Sequence, residues 1–319
     1  MHILMMAIND PAGTAIAFSR AINKYTDHSC RLITKEIRYN FMFEKDLHLP
    51  WLGPDGLEEL SELFKTSDIF HFHMTADEHT PFGPFLPTEH MRGKAIVHHH
   101  HGHPDFRSAP QKFREKYAER NRKNLLVSTP DLLKLLPEAD WQPNLVPEND
   151  PLYSPADKKP DSPVRLVHSP TRTELKDTDM YKEYVNELIR EIPGKIESDT
   201  IRNTPHVKCL QRKQRAHILF DHLQGYFGVS SLEGLAQGVC TIAGLDEWNR
   251  EHIRKFAGVN KLPWFISSPM SLKNDLTTLI RDKELRAELG QDSRTFMEKY
   301  WPEEKVVQKL SKFYQNILK

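Results

Sequence analysis

His217-Ile218-Leu219-Phe220-Asp221-His222-Leu223-Gln224-Gly225-Tyr226-Phe227-Gly228-Val229-Ser230-Ser231-Leu232-Glu233-Gly234-Leu235-Ala236-Gln237-Gly238-Val239-Cys240-Thr241-Ile242-Ala243 decides how the chain folds. Residues 217–220 are a short apolar run, a loop with two glycines follows, a helical pattern begins at Ser230, and a second apolar run fills 239–243. Strand, loop, helix and strand in that order are the repeating unit of a mainly parallel sheet with crossover helices. The loop leaves the carboxyl end of a strand and enters a helix, where free N–H groups and the helix dipole favour an anion. Ser230 and Glu233 also have capping-box spacing, which competes with a ligand role for Glu233.

The same alternation runs through most of the chain, and the expected class is α/β. In the first half it predicts strands at 3–8, 31–34, 69–73, 95–99 and 125–128, with helices at 14–25, 57–64 and 130–136. Between 146 and 163 the chain turns Pro-, Asp- and Lys-rich, as an exposed linker does. The expected domains are therefore 1–150 and 164–300, with residues 151–163 between them. The alternation restarts with a strand at 164–168 and a helix at 180–190, and helical spacing dominates 272–280, 283–300 and 303–318.

Composition narrows the function classes. A chain of 319 residues is long enough for two cores. Lys plus Arg and Asp plus Glu both number 44, so no net charge draws the whole protein to nucleic acid or an acidic membrane. The cysteines, Cys30, Cys209 and Cys240, are odd in number and far apart, and they read as reduced thiols. The N-terminus lacks the basic flank of a signal peptide, and no apolar run is long enough to span a bilayer. A cytoplasmic protein is expected, with room for a peripheral membrane contact.

Three further stretches carry chemistry. Asn9-Asp10-Pro11-Ala12-Gly13-Thr14 lies between the first strand and first helix; Gly13 either lets the backbone approach an anion or serves as a turn residue. His98-His99-His100-His101-Gly102-His103 follows a strand, at the end where open α/β sheets bind ligands. Strand alternation puts His98 and His100 on one face and His99 and His101 on the other, which counts against one metal cage, so no metal site is expected. Several of these rings, with His71 and His73, read as core residues, and His101 beside Gly102 is the preferred functional one. In His168-Ser169-Pro170-Thr171-Arg172-Thr173-Glu174-Leu175-Lys176, two cations four residues apart at a strand end are either a diphosphate clamp or solvated loop charges.

Taken together these stretches resemble glycosyltransferase family 4 of the GT-B fold. The likeness rests on residues 10–13, on Asp68-Ile69-Phe70-His71-Phe72-His73, on His100-His101-Gly102, on the loop 166–176, on residues 226–238 and on Leu285-Arg286-Ala287-Glu288-Leu289-Gly290. The resemblance implies two Rossmann-like domains facing across a cleft, with residues 301–319 crossing back to the first. It implies transfer with retention from a nucleotide-diphosphate sugar to an acceptor such as a glycan or lipid-linked glycan, without a metal or other cofactor. By position, Arg172 and Lys176 would bind the diphosphate and stabilise its departure, and the N–H groups of Ser230 and Ser231 would hold a phosphate oxygen. Glu233 would bind the ribose, Gly13 would admit the diphosphate and sugar, and His101 would touch the donor sugar or the acceptor side.

One position departs from the family's pattern. A second Glu is common eight residues before the ribose Glu, and here that residue is Gly225, with Asp221 and Gln224 near enough to contact the sugar instead. A non-catalytic sugar-nucleotide-binding subunit, or a GT-B epimerase or phosphorylase, therefore stays open, since fold does not fix function.

Overall fold

The computed structural model describes residues 1–39 and 42–319 and divides them into two compact units, 1–145 with 303–319, and 146–302. Among the described residues, the first unit contains strands β1 (His2–Ala7), β2 (Ser29–Thr34), β3 (Leu47–His48), β4 (Ile69–His73), β5 (Ala95–His100), β6 (Asn124–Val127) and β7 (Asp140–Trp141). Their order in the sheet is β3-β2-β1-β4-β5-β6-β7 and every neighbouring pair is parallel. Helices α1 (Thr14–Tyr25), α2 (Pro54–Thr66), α3 (Pro104–Ser108) and α4 (Pro110–Glu119) connect them.

The second unit has β8 (Val164–His168), β9 (Ile196–Thr200), β10 (Ile218–Phe220), β11 (Cys240–Ala243) and β12 (Phe265–Ile266), in the order β12-β11-β10-β8-β9 and again parallel. Its helices are α5 (Thr178–Glu191), α6 (His206–Gln214), α7 (Val229–Ala236), α8 (Glu247–Ala257), α9 (Leu272–Arg281) and α10 (Lys283–Lys299). Helix α11 (Glu303–Ile317) belongs to the first unit and packs on α1, with Gln308 donating to the Tyr25 carbonyl and Tyr314 wholly buried.

Both sheets are doubly wound, so their strands are buried on two faces and read as nearly unbroken apolar runs. In β1 every residue after His2 is buried, and in β10 all three are. Two of the elements that the sequence did not announce have little apolar surface. Strand β9, Ile-Glu-Ser-Asp-Thr, lies at a sheet edge with only Ile196 buried, and α6 buries Leu210 and Lys213 alone. Residues 130–136, expected as a helix, form a 3-10 turn over Pro130–Lys134.

The Pro-rich segment behaves differently from a free linker. Its carbonyls, which no strand partners, are taken up by side chains of the second unit. Gln214 donates to the carbonyls of Pro151 and Ser154, Gln237 to that of Leu152, and Arg294 to that of Glu148. Tyr153 is buried beside them, and the segment groups with the second unit from Val146 onward. Proline carries a carbonyl without an N–H, so such a segment is held by donors that the rest of the unit supplies.

Candidate functional site

In an open parallel sheet the ligand crevice forms at the carboxyl ends of the strands, where the strand order reverses. In the second unit that point lies between β8 and β10, because β9 lies to one side and β11 to the other. The loops leaving β8 and β10 carry Ser169 to Asp177 and Asp221 to Gly228. They converge on the start of α7.

Asp221 is the hub. It is 3% exposed, its Oδ2 accepts from the Gly228 N–H at 2.6 Å and the Ser231 hydroxyl at 2.8 Å, and its Oδ1 lies 3.5 Å from Lys176 Nζ. Burial opposes its charge, but Lys176, His222 and these donors outweigh it and hold the carboxyl well below the usual carboxylate range. Gly228 is what lets the group close up: a Cβ there would stand 3.2 Å from both Asp221 Oδ1 and Lys176 Nζ. Lys176 remains one-fifth exposed and Arg172 about two-fifths, the latter bonded to Glu174 at 3.0 Å. Gln224 donates to Asp177 at 2.7 Å, and the Leu223 N–H does the same, so Asp177 ties the β10 loop to the start of α5.

A second, deeper pair backs the first. Glu233 on α7 pairs with Lys213 of α6, which is 2% exposed, and its other oxygen bonds His206 Nε2 at 2.9 Å. Burial again works against both charges. Their attraction prevails, with His206 adding to it: Glu233 is pulled down to about 2 and Lys213 is held above its ordinary value. Lys213 also donates to the Ser230 hydroxyl at 2.9 Å, which bonds Ser169 on the β8 loop.

The capping box expected at Ser230 and Glu233 does not form, because α7 starts one residue earlier, with Gly228 as its N-cap and no side-chain cap. Ser231 is turned inward: its N–H bonds the Gly228 carbonyl at 3.0 Å and its hydroxyl goes to Asp221. Val229 and Ser230 are left as first-turn residues whose N–H groups no helical carbonyl satisfies. Gly225 has φ +88° and its carbonyl receives the Asp246 N–H at 2.8 Å, a backbone geometry that a glutamate would enter only with strain.

In the first unit, Gly13 adopts φ +65° as the N-cap of α1, and a Cβ there would collide with the Phe43 ring. The N–H of Ile16 donates to Asp10 at 3.0 Å, so a buried carboxylate already lies against the start of α1. Burial raises the Asp10 pKa, while the N–H groups of Ile16, Ala15 and Thr14 and the charge of Lys45 resist the rise. His101 follows β5, where its Nε2 is 2.9 Å from His73 Nδ1 and its ring stacks on His73 at 5.2 Å. His98 and His100 face the other way, toward Glu78 and Tyr117, as alternation requires.

The sequence reading thus named Asp221, Lys176, Ser230, Ser231 and Glu233, which the fold brings together, and missed Lys213, His206 and Gly228. Lys213 sits in a helix of charged and polar residues, where a buried cation carries no signal of its own. Gly13 and His101 belong to the other unit.

No family model matches the chain, and no curated protein does. Solved structures do match over its whole length. The Anabaena protein HepE in complex with UDP and glucose superposes with a TM-score of 0.65 at 13% identity, covering 99% of this chain and 100% of that one. The fold is GT-B. A glycosyltransferase from Rickettsia africae aligns at 0.58 and 14%, covering 100% of this chain and 99% of its own. The UDP-GlcNAc 2-epimerase of Neisseria meningitidis bound to UDP-GlcNAc aligns at 0.55 and 11%, covering 99% and 100%. Among the described residues, no helix of this GT-B chain is long and apolar enough to cross a membrane.

Proposed function

We propose that this chain is a glycosyltransferase that moves a sugar, with retention, from a nucleotide-diphosphate sugar to a glycan or lipid-linked glycan. The observation that carries the reading is the Lys176–Asp221–Gly228 group at the switch point of the second unit, set against the start of α7. Its GT-B neighbours include a protein in complex with UDP and glucose and an epimerase bound to UDP-GlcNAc.

In this reading the N–H groups of Val229 and Ser230 take a phosphate oxygen, and Lys176 swings from Asp221 to the diphosphate. Arg172, exposed on its loop, closes over the outer oxygens with its planar fork. Glu233 has lone pairs to spare beyond those used by Lys213 and His206, so it accepts a ribose hydroxyl without giving up its ion pair. Asp221 and Gln224 stand beside the sugar in place of the absent glutamate at Gly225. As the glycosidic C–O bond breaks, charge grows on the leaving diphosphate. The fixed cations and dipole lower that barrier, and the diphosphate takes the acceptor's proton. Gly13 and His101 serve the sugar or acceptor side.

The test is calorimetric titration with UDP, GDP and ADP, on wild type and on Arg172→Ala and Lys176→Ala, followed by turnover with the sugar form of whichever nucleotide binds. One nucleotide should bind, and each variant should weaken it about tenfold or more, as expected for a lost charge-assisted hydrogen bond. Binding of none, or full activity in both variants, overturns the reading. An epimerase is the second reading, favoured by the match to the Neisseria enzyme and by the missing acid at Gly225. Product formed from donor alone, with no acceptor, decides for it.

A further inference from the structure

Three buried histidines of the first unit, His71, His73 and His99, form a cluster to which the proposed transfer gives no role. Strands β4 and β5 are parallel and in register, with His73 beside His99 and His71 beside Val97. Residues paired across parallel strands point to the same face, so His71, His73 and His99 share one face although they come from two strands. Along one strand, alternation argues against a cage. Across the sheet it assembles one. His71 and His73 stack at 4.3 Å, His71 and His99 at 5.4 Å, and all three are buried to within 1%.

Each of the three rings has at least one nitrogen without a hydrogen-bond partner. His71 Nδ1 bonds the Tyr314 hydroxyl at 2.5 Å and His73 Nδ1 bonds His101 Nε2 at 2.9 Å, while Nε2 of both rings and both nitrogens of His99 have no partner. Buried polar atoms are nearly always satisfied, and a cluster of orphaned imidazole nitrogens demands an occupant. A hydrogen bond at Nδ1 is also how a metal-ligating histidine is held, since the N–H donated there fixes the tautomer and turns the Nε2 lone pair toward the ion. Imidazole ligates in its neutral form, which is the form that burial away from water favours.

We infer that His71, His73 and His99 form a binding site for one divalent transition-metal ion of the Zn²⁺ class, with Tyr314 and His101 as the outer groups that orient His71 and His73. One nitrogen of each ring lies within 4.8 Å of the others. Tetrahedral ligation at about 2.0–2.1 Å per bond needs nitrogens roughly 3.3 Å apart, so the rings close by about 1.5 Å, a movement within reach of side-chain rotation. Imidazole suits zinc, cobalt and nickel, and three-histidine sets leave the fourth position open to a water or another ligand. The site joins the ends of β4 and β5 and, through Tyr314, helix α11. None of the three ligands has a part in the proposed transfer, and the inference does not rest on that reaction.

The experiment uses the full chain made without an affinity tag, stripped with a chelator, dialysed and titrated with Zn²⁺ or Co²⁺ alone. One ion per chain should bind, Co²⁺ should give the visible ligand-field bands of a low-coordinate site, and the melting temperature should rise with metal concentration. His99→Leu should abolish stoichiometric binding, and Tyr314→Phe, which keeps the ring and removes the hydroxyl, should weaken it by about 10–100-fold. His103→Ala, in the same run but outside the cluster, should change nothing. If wild type takes up no metal and its melting temperature does not move, the site does not exist and the cluster holds water. If His103→Ala loses the metal as readily as His99→Leu, the ion sits on the exposed run and the assignment is overturned.

Discussion

Replacing Lys213 by Met tests whether the deep ion pair behind α7 holds the site together. Lys213 is 2% exposed and its ammonium bonds both the Glu233 carboxylate and the Ser230 hydroxyl. Methionine matches the length of the chain but leaves Glu233 as a buried carboxylate with His206 as its remaining polar neighbour among those described. Breaking a buried pair from one side costs about 3–5 kcal/mol, because the surviving charge stays desolvated. For a unit of this size each kcal/mol moves the midpoint by about 2–4 °C, so the variant should melt roughly 10 °C lower. The double variant Lys213→Met with Glu233→Gln removes both charges and should recover about half of that loss, since an uncharged amide costs far less to bury than a carboxylate. Calorimetry of wild type, both single variants and the double variant gives the coupling directly. A loss below about 1 kcal/mol for Lys213→Met, or single-variant losses that simply add, would refute the buried charge pair.

Three further outcomes follow from the same geometry. Gly228→Ala puts a methyl 3.2 Å from Asp221 and Lys176, and should weaken the bound nucleoside diphosphate by about tenfold with the fold retained; unchanged affinity in calorimetric titration would contradict the close approach. Gly225→Glu should not improve activity. Its φ of +88° costs a non-glycine residue about 1–2 kcal/mol, so a lower melting temperature is expected and a gain in turnover would sink the argument. In acid, Glu233 is depressed in the folded chain to about 2, so its contribution is full above its ordinary value of 4.5 and is lost as pH falls toward 2. That contribution is on the order of 3 kcal/mol, and denaturant titrations across this window should show a shallower pH slope for Glu233→Gln than for wild type.

The fold was legible in the sequence where burial was double-sided. Strands such as β1, β4 and β10 are buried on both faces, and glycine-containing loops mark the crossovers that follow β1, β5 and β10. Residues 196–200 and 206–214 were silent for the opposite reason: an edge strand and a polar helix expose most of their side chains, so their pattern does not differ from a loop. The Pro-rich segment read as free linker because its hydrogen-bond partners, Gln214, Gln237 and Arg294, lie far along the chain.

By itself the sequence determined the doubly buried strands, β1, β4, β5, β8, β10 and β11, and it named the loops at their ends where charged residues gather. It also determined that His98 and His100 face away from His99 and His101, because alternation is a property of one strand. Tertiary structure alone decided which loops meet. It brought Lys176 from the β8 loop against Asp221 from the β10 loop, and placed Lys213 under Glu233. Only the register of β4 on β5 set His71 and His73 on the same face as His99. Local pattern fixes the direction in which a side chain points, but neighbours across a sheet are chosen by the pairing of strands distant in sequence, and no single segment encodes that choice.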